Sequence, residues 1–120
     1  MDIRIKRVYD DPAPGDAYRV LIDRLWSRGL GHERARVDEW LRDLAPSDGL
    51  RRWYGHRTER FGEFRRRYLR ELRGRRTELS ELRRRARRGT VTLLFSARDA
   101  DRSNAAVLAE AVRRGIPRRL

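Results

Sequence analysis

The sequence predicts a single α/β domain over residues 1–120, with a short, mostly parallel sheet of about three strands flanked by helices. Two observations carry that expectation. Val20-Leu21-Ile22 and Val91-Thr92-Leu93-Leu94-Phe95 are continuous apolar runs rich in β-branched residues, as in strands buried on both faces. Between them, roughly over residues 37–88, apolar side chains recur at helical spacing. Two buried strands joined by helices pair most simply in parallel, through a right-handed crossover. A length of 120 residues suits one domain with a modest core.

The chain opens on Ile3-Arg4-Ile5-Lys6-Arg7-Val8-Tyr9, whose apolar and basic residues alternate as in a strand with one wetter face. Asp10 to Asp16 holds two prolines and a glycine and reads as a surface loop. A second strand is expected from about Arg19 to Arg24, broken by Ser27 to Gly31. Val37, Trp40, Leu41 and Leu44 share one helical face, so a short helix is expected from Val37 to Leu44, stopped by Pro46. Ser47-Asp48 can cap a further helical turn through Leu50 and Trp53 that closes near Gly55. Phe61, Phe64, Tyr68 and Leu72, then Leu79, Leu82 and Ala86, mark two helices, Thr58–Arg73 and Thr77–Arg87. Gly74 separates them, because glycine inside a helix costs about 1 kcal/mol relative to alanine. After the third strand, Ser103 or Asp101 can cap a last helix whose apolar face includes Ala106, Val107, Leu108, Ala109 and Val112. Gly115 and Pro117 end it.

The net charge of +13 arises almost wholly from arginine, since Lys6 is the only lysine. Sixteen arginines against five glutamates lie between Arg51 and Arg88, and that segment carries +11 of the total. A field of that size attracts polyanions. The absence of cysteine rules out disulfides and thiolate chemistry. The charged start Met1-Asp2-Ile3-Arg4 and the lack of any membrane-length apolar run predict a cytoplasmic protein without a membrane partner. His32 and His56 stand without a carboxylate cluster, which argues against a metal site. No Gly-x-Gly-x-x-Gly or Gly-Lys-Ser/Thr run occurs, so no ordinary dinucleotide or P-loop cofactor site is expected.

Several segments together resemble a known family. They are Lys6-Arg7-Val8-Tyr9-Asp10, Tyr18 through Gly29, Asp38-Glu39-Trp40-Leu41, Leu44-Ala45-Pro46-Ser47, Leu50 through His56, and Val91 through Asp99. In this order they are similar to the small bacterial YeaO-like proteins, part of a broader family of domains of unknown function. The resemblance spans nearly the whole chain and implies an α/β fold of Rossmann-like character, with no established activity. Three departures stand out. Ser27 occupies a place where that family usually has proline, and Arg102-Ser103 stand where it tends to carry His and Asn. Longer relatives place a cysteine near the end of the third strand, and this chain has none.

Parallel pairing would bring Asp23-Arg24 and Ser96-Ala97-Arg98-Asp99 to the carboxyl-terminal edge of the sheet, where ligands of open α/β sheets sit. Arg24, Trp26, Arg28, Ser96 and Arg98 are the candidate binding residues there, because the planar guanidinium fork matches phosphate or carboxylate oxygens. Asp23, His56 and Asp99 are the candidate acid–base groups. Each has an ordinary structural alternative: a strand-end ion pair for Asp23, a backbone cap for Asp99, a turn hydrogen bond for His56. The expected function is binding of a small anion, nucleotide or phosphate ester, with catalysis left open. The alternative is a nucleic-acid interface through Arg65, Arg66, Arg67, Arg83, Arg84 and Arg85. Those same arginines also fit solvated helix faces paired with glutamates, or contact with an acidic protein partner. Nothing in the residues specifies an oligomeric state.

Overall fold

In a computed structural model, which describes residues 1–120, four parallel strands form one sheet in the order β1-β4-β2-β3. They are β1 (Ile3–Arg7), β2 (Tyr18–Leu21), β3 (Glu39–Trp40) and β4 (Val91–Phe95). Five helices accompany them: α1 (His32–Ala35), α2 (Asp48–Tyr54), α3 (Phe61–Leu72), α4 (Arg76–Arg88) and α5 (Asn104–Arg114). The expected α/β class and the parallel pairing of the two apolar runs both hold.

β4 takes a central place because all five of its residues can be buried, as a parallel strand covered on both faces requires. β1, which alternates Ile3 and Ile5 with Arg4 and Lys6, takes an edge. Ile3, Val20, Val91, Leu93 and Phe95 join the larger core with side chains of α2, α3, α4 and α5. Leu21 and Leu94 belong instead to a smaller core with Val8 and Ala35, flanked by Trp26, Leu30, Val37 and Trp40. One face of the sheet therefore carries the helical layer, and the other is covered by residues 22–38 with the single turn of α1.

The helix expected from Val37 to Leu44 does not form. Glu39 and Trp40 pair with Val20 and Leu21 as a fourth strand, and residues 42–44 make one 3-10 turn. The open edge of β2 offers ladder partners: Asp38 N donates to Arg19 O at 2.8 Å and Leu41 N to Leu21 O at 2.9 Å. Ala45, held extended before Pro46, leaves no room for a helix to continue. The second strand also ends earlier than expected, at Leu21; one more ladder bond follows, from Ile22 N to Leu94 O at 3.1 Å, and Asp23 then turns away. The break at Gly74 is present as a 3-10 turn over residues 73–75 between α3 and α4. Ser47 caps α2, Ser103 caps α5, and Gly55 closes α2 in the left-handed region at φ 52°.

A buried ionic cluster fixes the wetter face of the sheet. Asp16 accepts from Lys6 Nζ, from Arg19 Nη1 and from Ala13 N, while Thr92 Oγ1 donates to the Asp16 carbonyl at 2.7 Å. Arg19 directs its other nitrogens to Arg36 O at 3.0 Å and Ala35 O at 2.9 Å, so its buried guanidinium is fully bonded. Burial alone would raise the Asp16 carboxyl, but the Ala13 amide and the Lys6 and Arg19 cations outweigh it and hold the group below its ordinary 3.8. With the folded pKa depressed, the contribution to stability is complete above the unfolded value and is lost as pH falls through the folded one. Asp16→Asn, which leaves Arg19 buried without its counter-charge, is expected to cost about 3–5 kcal/mol in urea unfolding at neutral pH. The gap between variant and parent should narrow as the same measurement is carried below pH 3.8.

Candidate functional site

The carboxyl ends of β2 and β4 diverge. After β2 the chain turns to cover the smaller core, whereas after β4 it enters α5 on the opposite face. Neighbouring parallel strands whose connections leave to opposite sides open a crevice between them. At its floor lies Asp23. Its Oδ2 accepts from Ser96 N at 3.0 Å and Ser96 Oγ at 2.7 Å, and its Oδ1 accepts from Asn104 Nδ2 at 2.9 Å. The Asn104 amide also reaches Ile22 O at 3.2 Å. Asp23 thus ties β2 to β4 and to the first turn of α5. It forms no ion pair with Arg24 or Arg28, whose guanidinium groups lie elsewhere.

The crevice has a volume of about 600 Å³, within the range that holds small ligands. Six arginines line it: Arg7, Arg24, Arg28, Arg51, Arg52 and Arg98. Asp23 is the one carboxylate among the lining residues, and its oxygens are already engaged. Arg7 is fixed by Ala97 O at 2.9 Å and Ser96 O at 3.3 Å. Arg24 Nε donates to Pro46 O at 2.9 Å. Asp48, at the start of α2, takes one hydrogen bond from Arg51 and one from Arg52, and these arginines hold its carboxyl below the usual range. The position of α2 is itself set by α3, because Glu71 accepts from Ser47 N at 2.8 Å and Ser47 Oγ at 2.6 Å. Arg28 and Arg98 are exposed and have no side-chain partner in the chain. Ser103 and Asn104 bring the N-terminus of α5 to the same opening, adding the positive end of its dipole.

The chain has two buried side-chain polar atoms without a hydrogen-bond partner, Ser27 Oγ and Arg51 Nε, and both belong to residues of this lining. Two of the other grooves differ from it in character. One at the opposite edge of the sheet mixes Glu39, Glu78 and Glu81 with Arg84, Arg85 and Arg88, so its charges balance. The other, between α4 and the C-terminal tail, includes Arg73 and Arg83, which donate to tail and α5 carbonyls.

Of the candidates read from sequence, Asp23, Arg24, Trp26, Arg28, Ser96, Arg98 and His56 all line the cleft. Ser96 serves it as a scaffold, through its hydrogen bonds to Asp23 and Arg7. Trp26 is half-buried toward the smaller core, with its indole donating to Leu30 O at 2.7 Å and stacked on His32 at 4.0 Å. His56 follows Gly55 in the left-handed region at φ 59° and stands exposed. Asp99 is outside the lining and caps local backbone, accepting from Asp101 N and Arg102 N. It lies near enough to add its charge to burial in raising the Tyr54 phenol. Arg7, Tyr9, Arg51, Arg52 and Asn104 were not foreseen in sequence. Arg7 and Tyr9 join because β1 pairs with β4, an order that β1 itself does not announce. Asn104 had a readable signal, as the first residue of a helix that follows a buried parallel strand.

Most of the arginines in the helical rows are engaged within the chain. Arg65 pairs with Glu110, Arg66 and Arg67 with Glu63, Arg83 donates to Ala111 O and Val112 O, and Arg85 lies over the Tyr18 ring at 3.7 Å. Arg84 alone of the six is without such a contact. No helix is long and apolar enough to cross a membrane.

These features define a class: a small parallel α/β domain with a guanidinium-lined crevice at the carboxyl edge of its sheet. The chain belongs to the DUF488 family, in the group described as the inactive DUF488-N3 subclade, whose profile matches residues 2–119. It is 46% identical over 108 residues to an uncharacterized protein of Mycobacterium tuberculosis, covering 90% of this chain and 91% of that one. YeaO of Escherichia coli is 38% identical over 113 residues, covering 94% and 98%. No solved structure matches the chain significantly.

Asp23→Ala strands the Ser96 amide and hydroxyl and the Asn104 amide, and should cost about 1–3 kcal/mol in chemical denaturation. Because both residues act through one carboxylate, Asp23→Ala and Asn104→Ala should be non-additive by at least about 0.5 kcal/mol in a double-mutant cycle.

Proposed function

We propose that the crevice binds a small anionic ligand, a nucleotide or other phosphate ester, between the ends of β2 and β4. The observation that carries this reading is six arginines lining one opening, two of them, Arg28 and Arg98, without any side-chain partner, beside a single lining carboxylate that is already hydrogen-bonded. Like charges gathered in this way repel, and an anion relieves that repulsion while supplying bidentate acceptors. The two buried side-chain polar atoms left without partners, Ser27 Oγ and Arg51 Nε, belong to residues of the same lining.

Binding without chemistry is the form of the proposal that the side chains support. Asp23 and Asp99 both accept backbone hydrogen bonds and tie local structure together, a role that accounts for each without chemistry. His56 has no partner in the chain to orient its ring. The word "inactive" in the family description accords with this. The alternative, nucleic acid held on the helical surface, has less in its favour, since five of its six arginines are engaged within the chain.

A panel of inorganic and organic phosphates followed by thermal melting tests the reading. At a hundredfold excess over Kd a ligand adds about 2.7 kcal/mol, on the order of 10 °C for a chain of this size. Arg28→Ala and Arg98→Ala should each weaken that shift while leaving the unliganded melting temperature equal or slightly higher, since neither side chain has a partner to lose. Arg84→Ala, on the far side of the sheet, should leave the shift intact. The proposal fails if no phosphate at saturating concentration moves the transition.

A further inference from the structure

We infer that the anion held in the crevice carries a flat aromatic group beside its phosphate, as a nucleoside phosphate does, and that Tyr9 and Leu25 receive that group. The inference rests on the anion-binding reading above and adds the kind of anion. Three large hydrophobic side chains are exposed in the whole molecule: Met1, Tyr9 and Leu25, the last two at 42% and 58%. Both of these line the same crevice. A lone exposed leucine carries no meaning, but here two apolar side chains meet at one guanidinium-rich opening.

They reach it by separate routes. Tyr9 follows β1 and Leu25 follows β2, the two strands that flank β4. Next to Leu25, Trp26 is engaged with the smaller core through Leu30 and His32, and Leu25 is left in solvent. Tyr9 is already in place. Its hydroxyl donates to Arg28 O at 3.0 Å, and the Arg7 guanidinium lies 5.4 Å from its ring centroid. Arg7 is in turn anchored to Ala97 O and Ser96 O. A ring held this way loses little freedom on stacking against a ligand.

A bare phosphate has no use for these two side chains and would fill a small part of a 600 Å³ space. Aromatic rings set among arginines are the usual means of gripping a nucleobase and its phosphate together. Arg28 has its carbonyl bonded to Tyr9 and its guanidinium without a partner, so the phosphate would sit among the arginines and the base against Tyr9 and Leu25.

Calorimetry on the full chain with AMP, GMP, ribose phosphate and pyrophosphate decides the matter. AMP and GMP should bind about tenfold more tightly than ribose phosphate, which has the same phosphate and no base. Tyr9→Ala and Leu25→Ala should each remove that advantage. Leu25→Ala, which breaks no hydrogen bond, should leave ribose phosphate and pyrophosphate affinities unchanged, while Tyr9→Phe should keep most of the advantage. Equal affinity of AMP and ribose phosphate would overturn the inference, as would an advantage that survives in both alanine variants. Failure of every probe, pyrophosphate included, would instead remove the anion-binding reading beneath it. Both side chains are exposed, so the alanine variants should retain the parent's circular dichroism, which confirms that any lost preference is local.

Discussion

The carboxylate of Asp23 joins segments that the chain brings from far apart: the end of β2, Ser96 beyond β4, and Asn104 at the head of α5. Its backbone takes part as well, since Trp40 Nε1 donates to Asp23 O at 2.7 Å and so fastens the edge strand β3 to the same point. On either side of this point the chain departs to opposite faces of the sheet. The crevice is the gap those departures leave. If the tie were absent, the ends of two adjacent parallel strands would be free to splay, and the arginines around them would lose their common geometry.

Cations are held around that opening in two ways. Arg7, Arg24, Arg51 and Arg52 are steered by carbonyls or by Asp48, and each keeps nitrogens free for another acceptor. Arg28 and Arg98 are unsteered. The contrast with Arg19 is instructive. That guanidinium, unlike those at the opening, is buried, and every one of its nitrogens has a partner, so the result is a structural girder and not a site. The distinction lies in unmet hydrogen-bonding capacity, which a count of arginines does not reveal.

Much of this architecture could be read from residue pattern. The runs Val20-Leu21-Ile22 and Val91–Phe95 are those of buried parallel strands, and pairing them in parallel brings Asp23 and Ser96 to one edge of the sheet. Gly74, Gly55 and Ser103 marked turns and caps correctly, because each works through its immediate neighbours. The reading failed at Val37–Leu44, where helical spacing lost to the open edge of β2, a partner that only the folded sheet supplies. It also failed to bring in Arg7, Arg51 and Arg52, since strand order and the docking of α2 by Glu71 are tertiary facts. Asp99 was legible in the opposite sense: a carboxylate just before a helical turn capped backbone, as such residues ordinarily do.

The sole lysine has a consequence of its own. Lys6 is committed to Asp16, with its side chain 22% exposed, so nearly all of the positive surface charge resides on guanidinium groups. Acetyl or ubiquitin tags, which a cell attaches to lysine amines, therefore have no side chain at the opening on which to act.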